Sequence, residues 1–151
     1  MGEISTTPAR GHALRKGRRS IDGQLYLVTI VTRDRAPIFE HLFAARWAVR
    51  CLYDDDVTGQ GRTLAHVIMP YHVHWMLQLA GDLSSVVRLY KAKVSAGLSR
   101  RVWQRGFHDR AIRRGEDVVS ASRYMVANPL RAGLVTQIGD YPHWDAVWLT
   151  G

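Results

Sequence analysis

The stretch Met69-Pro70-Tyr71-His72-Val73-His74-Trp75-Met76-Leu77 decides how the rest of the chain folds around it. Apolar residues on both sides of two histidines predict a buried strand. Successive side chains of a strand point to opposite faces, so His72 and His74 share one face and Val73 lies on the other. Two imidazoles at this spacing can bind one metal ion. Two satisfied polar residues on a half-exposed face would give the same pattern, so the metal interpretation is a hypothesis.

Length and composition predict one globular domain. The chain has 151 residues, of which 46% are hydrophobic and only Cys51 is a cysteine. We expect a flexible basic arm over residues 1–20 and a single folded domain over 21–151. A lone cysteine excludes an internal disulfide and a cysteine-based zinc site, and it fits a reducing, cytoplasmic setting. Because no apolar run could span a bilayer and no signal peptide is evident, no membrane partner is expected.

The charge distribution favours a polyanionic partner. The formal net charge is +8, and nucleic acid is the commonest partner of so basic a chain. Between Arg88 and Arg114 the cations are interleaved with the aromatics Tyr90, Trp103 and Phe107, as single-stranded nucleic acid requires. The alternative is that the aromatics are core residues and the cations are merely solvated. The predicted nucleic-acid contacts are Arg15, Lys16, Arg18, Arg19, Arg88, Lys91, Lys93, Arg100, Arg101, Arg105, Arg110, Arg113 and Arg114.

The order of predicted elements is β-α-β-β-α-β-α. Strands are expected over 25–32, 63–69, 72–79 and within 102–114, with helices over about 38–53, 83–101 and 116–127. This order suits an α+β ferredoxin-like sandwich, an antiparallel sheet with helices packed on one face. The first and third strands are central in that topology, so the histidine strand would lie in mid-sheet. His66, on the face of Leu64 and Ile68, is predicted to be structural.

Tyr124 is the candidate nucleophile on local grounds. It lies on the last predicted helix, and Asn128 follows four residues later, so both side chains share one helix face. If that face covers the histidines, one helix brings a phenol and an amide oxygen to the metal site. A core tyrosine followed by a turn asparagine would look the same.

Several stretches of the chain, including the histidine strand and the Tyr124 helix, resemble a known protein family. The residues PYHVH resemble the histidine–hydrophobe–histidine motif of the HUH endonucleases, which cleave single strands. More narrowly, the chain resembles the REP-associated tyrosine transposases in the stretches MPYHVHWMLQL, VWQRGFHDRAIRR and YMVANPLRAGLV, the last followed by DYPHWDAVW. These stretches span most of the chain from about residue 24. One departure is Tyr71, where this family commonly has Asn.

The resemblance implies metal-dependent cleavage of single-stranded DNA near a hairpin. His72 and His74 match the metal-binding pair, Tyr124 matches the nucleophile, and Asn128 matches the residue that completes the site for Mg²⁺ or Mn²⁺. Attack by Tyr124 would leave a 5′-phosphotyrosine link and a free 3′-hydroxyl. The implied partner is single-stranded or hairpin DNA, bound by a monomer or a homodimer.

Two other functions fit the sequence. A non-catalytic nucleic-acid-binding protein would keep the fold and the basic residues without a working site. A metal-dependent hydrolase would use water in place of Tyr124, although no additional carboxylate is evident near the histidines.

Overall fold

Five antiparallel strands form the centre of the molecule. The computed structural model describes residues 23–113 and 117–147. The strands, which we number in chain order, are β1 (Leu25–Val31), β2 (Gly61–Met69), β3 (His72–Leu79), β4 (His108–Ala111) and β5 (Trp144–Ala146). Their order in the sheet is β4-β1-β3-β2-β5. The α+β ferredoxin-like class and the mid-sheet position of the histidine strand are therefore confirmed. The predicted arm, with Arg15, Lys16, Arg18 and Arg19, lies outside the described residues, as does Arg114.

Helices connect the strands and cover the sheet. They are α1 (Leu42–Leu52), α2 (Asp55–Thr58), α3 (Leu83–Leu98), α4 (Val118–Val126) and α5 (Asn128–Arg131). Single 3-10 turns lie at Arg33–Arg35, Ile38–Glu40 and Ile138–Asp140. Aspartate side chains cap α3 and α4: Asp82 accepts from the Ser85 N–H and Asp117 from the Ser120 N–H. No helix in these ranges has the length and hydrophobicity needed to cross a bilayer.

The sheet separates two hydrophobic cores. On one face, Val73, Trp75 and Leu77 of β3 pack with residues of α1 and α3. On the other face, Met76 packs with Met125 of α4 and with residues of β2. The expected packing of helices on a single face is thus wrong for α4. Because His72 and His74 alternate with Val73 and Trp75, both histidines lie on the face that α4 covers.

The C-terminal segment adds the fifth strand. β5 pairs with β2, with Ala146 opposite Ala65 and Trp144 opposite Val67. The indole N–H of Trp144 also donates to the carbonyl of Ile138. The sequence predicted a tail held by its aromatic residues, and the structure shows that backbone pairing holds it as well.

Candidate active site

His72 and His74 lie side by side on β3. Their ring centroids are 4.5 Å apart and their planes are nearly perpendicular, at 87°. Thr29 lies directly opposite His74 on β1, with its Oγ1 3.2 Å from His74 Nδ1. The second ring nitrogen of His74, Nε2, is buried and has no hydrogen-bond partner among the described residues. A buried polar atom without a partner is unfavourable unless something binds it, so Nε2 is a candidate metal ligand.

Both histidines are neutral near pH 7. Burial lowers the pKa of His72 to about 4, and the charge of Arg35 acts in the same direction. Burial lowers the pKa of His74 to about 3, with further contributions from His72 and Arg131. Metal ions bind the unprotonated imidazole, so these shifts leave both rings competent as ligands.

Tyr124 and Asn128 lie over the histidines, on the helices that cover this face. Tyr124, Asn128, Arg131 and His74 all line one cleft of about 670 Å³, which we call the Tyr124 cleft. Asn128 and Arg131 also line an adjoining cleft of about 650 Å³ that contains His72, which we call the His72 cleft. The α5 helix therefore borders both clefts, of which one contains His74 and the other contains His72. A single chain supplies all of these side chains.

A proline explains how Asn128 is oriented. Pro129 has no N–H, so it cannot donate to the carbonyl of Met125 four residues earlier. The side-chain amide of Asn128 donates to that carbonyl instead, with Nδ2 2.6 Å from the Met125 oxygen. Since the amide nitrogen is used in this way, the amide oxygen is the group that Asn128 can offer to a metal.

Arg131 holds the candidate nucleophile. Its guanidinium carbon lies 3.8 Å from the centroid of the Tyr124 ring, and its Nη1 donates to the Tyr124 carbonyl at 2.7 Å. The Tyr124 side chain is nevertheless exposed, with 69% of its surface accessible. Arg131 was not among the residues predicted from the sequence. The available signal was its spacing, because residues 124, 128 and 131 follow the i, i+4, i+7 pattern of one helix face.

The residues present fit a divalent metal with a mixed ligand set. Asn128 lines the clefts of both His74 and His72, and Nε2 of His74 is buried without a partner among the described residues. Mg²⁺ prefers oxygen ligands, so the two nitrogens favour Mn²⁺ over Mg²⁺. Elsewhere in ranges 23–113 and 117–147, no group of three or more His, Cys, Asp or Glu residues could hold a metal.

Some of the predicted DNA contacts form a second surface. Arg88, Lys91 and Arg105 line a groove of about 700 Å³ together with Trp103 and Phe107, which we call the basic groove. It lies along α3, on the face of the sheet opposite the histidines. Cations and aromatic rings share this groove, as the sequence analysis expected.

The predicted nucleic-acid contacts differ in their surroundings. The ammonium of Lys91 donates to the carbonyls of Gln104 and Gly106, so it shapes the loop that borders the basic groove. The ammonium of Lys93 lies 3.2 Å from carboxylate oxygens of both Asp54 and Asp56. Arg110 lies apart from them in the Tyr124 cleft. The exposed residues Arg100, Arg101 and Arg113 line none of these three cavities.

The chain is similar in sequence and in fold to known proteins. The chain is 26% identical over 140 residues to a Haemophilus influenzae protein provisionally named as a REP-associated tyrosine transposase, covering 80% of this chain and 78% of that protein. A solved structure of a REP-associated tyrosine transposase bound to a REP hairpin superposes with a TM-score of 0.69 at 25% identity, covering 84% of this chain and 79% of the other. No protein-family model matches the chain. In both sequence and fold, the chain is similar to REP-associated tyrosine transposases.

Proposed function

We propose that the protein is a metal-dependent single-strand DNA endonuclease and strand transferase that acts beside hairpin DNA. The observation that carries the proposal is that Tyr124, Asn128 and His74 line one cleft of one chain. The relatives support it, since they are named as tyrosine transposases and one is bound to a REP hairpin.

Each residue of the site has a chemical role. His72, His74 and the amide oxygen of Asn128 would hold the ion. A divalent ion bound there supplies positive charge that polarises a phosphate oxygen and stabilises the charge of the transition state. Tyr124 supplies the nucleophile, and its exposure leaves the hydroxyl accessible to a DNA strand.

The cleavage step conserves atoms and charge. The Tyr124 Oη forms a bond to phosphorus as the bond from phosphorus to the 3′-oxygen breaks. The phenolic proton passes to water, and the departing 3′-oxygen takes a proton from water. The products are a 5′-phosphotyrosine link and a free 3′-hydroxyl. Attack by a second 3′-hydroxyl reverses the step and joins strands, so no external energy source is required.

A covalent adduct tests the proposal. The protein is incubated with hairpin-bearing single-stranded DNA and Mn²⁺ and is then resolved on a denaturing gel. We expect an adduct with wild-type protein, none with Tyr124→Phe, and none after chelation. Tyr141→Phe is the control, because the Tyr141 hydroxyl donates to the Ile68 carbonyl outside the Tyr124 cleft.

Two outcomes would replace the proposal. If wild-type protein binds hairpin DNA but forms no adduct with Mg²⁺ or Mn²⁺, the chain is a non-catalytic binding protein. If cleavage without an adduct persists in Tyr124→Phe, water is the nucleophile and the chain is a metal-dependent hydrolase.

A further inference from the structure

Arg131 links the two halves of the site. It contacts the Tyr124 ring and carbonyl, and it lines both the Tyr124 cleft and the His72 cleft. Neither contact with Tyr124 involves a carboxylate. Nothing in the fold of α4 requires an arginine seven residues after the nucleophile, since any helix-compatible side chain could occupy that exposed position.

The helix geometry determines the direction in which Arg131 extends. Side chains on a helix tilt toward its N-terminus, so the long arginine side chain of α5 extends back over the last turns of α4. There the guanidinium stacks on the ring of Tyr124 while one N–H donates to the carbonyl. A guanidinium has five N–H donors, so this hydrogen bond leaves others for a ligand.

We propose that Arg131 is a catalytic residue that binds the phosphate Tyr124 attacks, while its stacking holds the Tyr124 ring beside that phosphate. The inference rests on the proposed function and assigns the charged group that meets the non-bridging oxygens. Apart from the proposed metal ion, the cleft has one other cation, Arg110, which extends from β4 at the sheet edge.

The chemistry of the step explains why an arginine is suited to this position. As the bond from Tyr124 Oη to phosphorus forms and the bond to the 3′-oxygen breaks, negative charge builds on the non-bridging oxygens. A planar guanidinium can donate to two such oxygens at once, which a lysine ammonium cannot do with the same geometry. Positioned donors of this kind commonly accelerate a reaction by about 100-fold or more.

Substitution of Arg131 and of the phosphate together tests the proposal. We compare the wild-type protein, Arg131→Gln and Arg131→Lys with Mn²⁺ and saturating hairpin-bearing DNA, measuring the rate of adduct formation. A second DNA carries a methylphosphonate at the scissile linkage, where a methyl group replaces one charged oxygen. Arg123→Gln is the matched control, an exposed arginine of α4 that lines neither cleft.

The expected results are specific to a phosphate-binding role. On the phosphodiester, Arg131→Gln slows adduct formation by about 100-fold, Arg131→Lys recovers part of the rate, and Arg123→Gln stays within about twofold of wild type. On the methylphosphonate, wild type and Arg131→Gln differ by less than about fivefold, because the charge that Arg131 meets is gone. An equal loss on both DNAs, or no loss on either, overturns the proposal.

A binding measurement separates this inference from the proposed function. If wild-type protein forms no adduct, the proposed function fails. Arg131 is then tested in the Tyr124→Phe background, which keeps the ring, with single methylphosphonates placed in turn along the single-stranded segment. We expect one linkage at which the methylphosphonate weakens binding by Tyr124→Phe but not by the doubly substituted Tyr124→Phe, Arg131→Gln protein. The absence of any such linkage overturns the assignment of Arg131.

Discussion

The hydroxyl of Thr29 lies 3.2 Å from Nδ1 of His74, across the two central strands of the sheet. We assign the ring proton to Nδ1, which then donates to Thr29 Oγ1 and leaves Nε2 with the lone pair that a metal could bind. Hydrogen bonds of this kind fix the tautomer and orientation of a metal-binding histidine.

Removal of the Thr29 hydroxyl should weaken metal binding. Thr29→Val keeps the side-chain shape but removes the acceptor, and we expect Mn²⁺ affinity to fall by about 10- to 100-fold in a calorimetric titration. Thr29→Ser retains the hydroxyl and should bind Mn²⁺ nearly as well as wild type. Equal affinities for the valine and serine variants would show that the hydrogen bond does not orient His74.

Asn128 and Pro129 should be energetically coupled. Asn128→Ala removes the side-chain donor to the Met125 carbonyl, which we expect to lower the free energy of unfolding by about 1–2 kcal/mol. Pro129→Ala restores a backbone N–H that can donate to the same carbonyl. In the Pro129→Ala background, the loss caused by Asn128→Ala should therefore be smaller by about 0.5–1 kcal/mol. Urea denaturation of the four proteins measures this coupling, and additive losses would contradict it.

The cations of α3 and of the loop that follows it should contribute unequally to DNA binding. Arg88 and Arg105 line the basic groove, whereas the ammonium of Lys93 is paired with Asp54 and Asp56. Each phosphate contact with a single strand contributes about 0.7 to the slope of log affinity against log salt. We expect Arg88→Gln and Arg105→Gln each to reduce the slope by about this amount, and Lys93→Gln to leave it unchanged. Fluorescence anisotropy at several salt concentrations measures the slopes, and a full effect of Lys93→Gln would show that its ion pairs open for DNA.

Strand periodicity was sufficient to place the two histidines. The spacing of His72 and His74 predicted a shared face, and the element order predicted a central strand. Both properties follow from local geometry and chain order, and both are confirmed. The side of the sheet covered by the Tyr124 helix depends on long-range packing, which the sequence pattern does not contain.

In β2, a β-bulge makes the prediction from strand alternation wrong. His66, Leu64 and Ile68 were expected on one face, but Leu64 packs in the core beneath α4 whereas Ile68 packs in the opposite core. The pairing with β3 shifts between Thr63 and Ala65, and the extra residue reverses the alternation before that point. His66 is buried, in agreement with its predicted structural role.

The residues that support the site were the least predictable. Thr29 is adjacent to His74 only because of the register between β1 and β3, which alternation alone does not specify. Arg131 reaches Tyr124 across the break between α4 and α5 at Ala127, where the helical hydrogen-bond pattern is interrupted. The candidate metal ligands and nucleophile were thus recognisable from spacing and family resemblance, whereas the contacts that Thr29 and Arg131 make with them required the tertiary structure.

His66 should make stability depend on pH in the mildly acidic range. It is 3% exposed, its Nδ1 lies 2.9 Å from the Tyr53 hydroxyl, and burial lowers its pKa from 6.5 to about 4. As the pH falls from about 6.5 to 4, His66 binds a proton in the unfolded chain but not in the folded one. The contribution of His66 to the free energy of unfolding is therefore complete above about pH 6.5 and is lost progressively toward pH 4. One such group contributes a slope of up to about 1.4 kcal/mol per pH unit.

Comparison with a variant isolates this contribution. His72 and His74 shift in the same direction, so the wild-type slope should exceed that of a single group. His66→Gln keeps an acceptor for Tyr53 but does not titrate, and we expect the slope between pH 6 and pH 4.5 to fall by about 1.4 kcal/mol per pH unit. Urea denaturation across this range measures both slopes. An unchanged slope would show that folded His66 binds its proton as readily as the unfolded chain does, and that its burial does not govern acid stability.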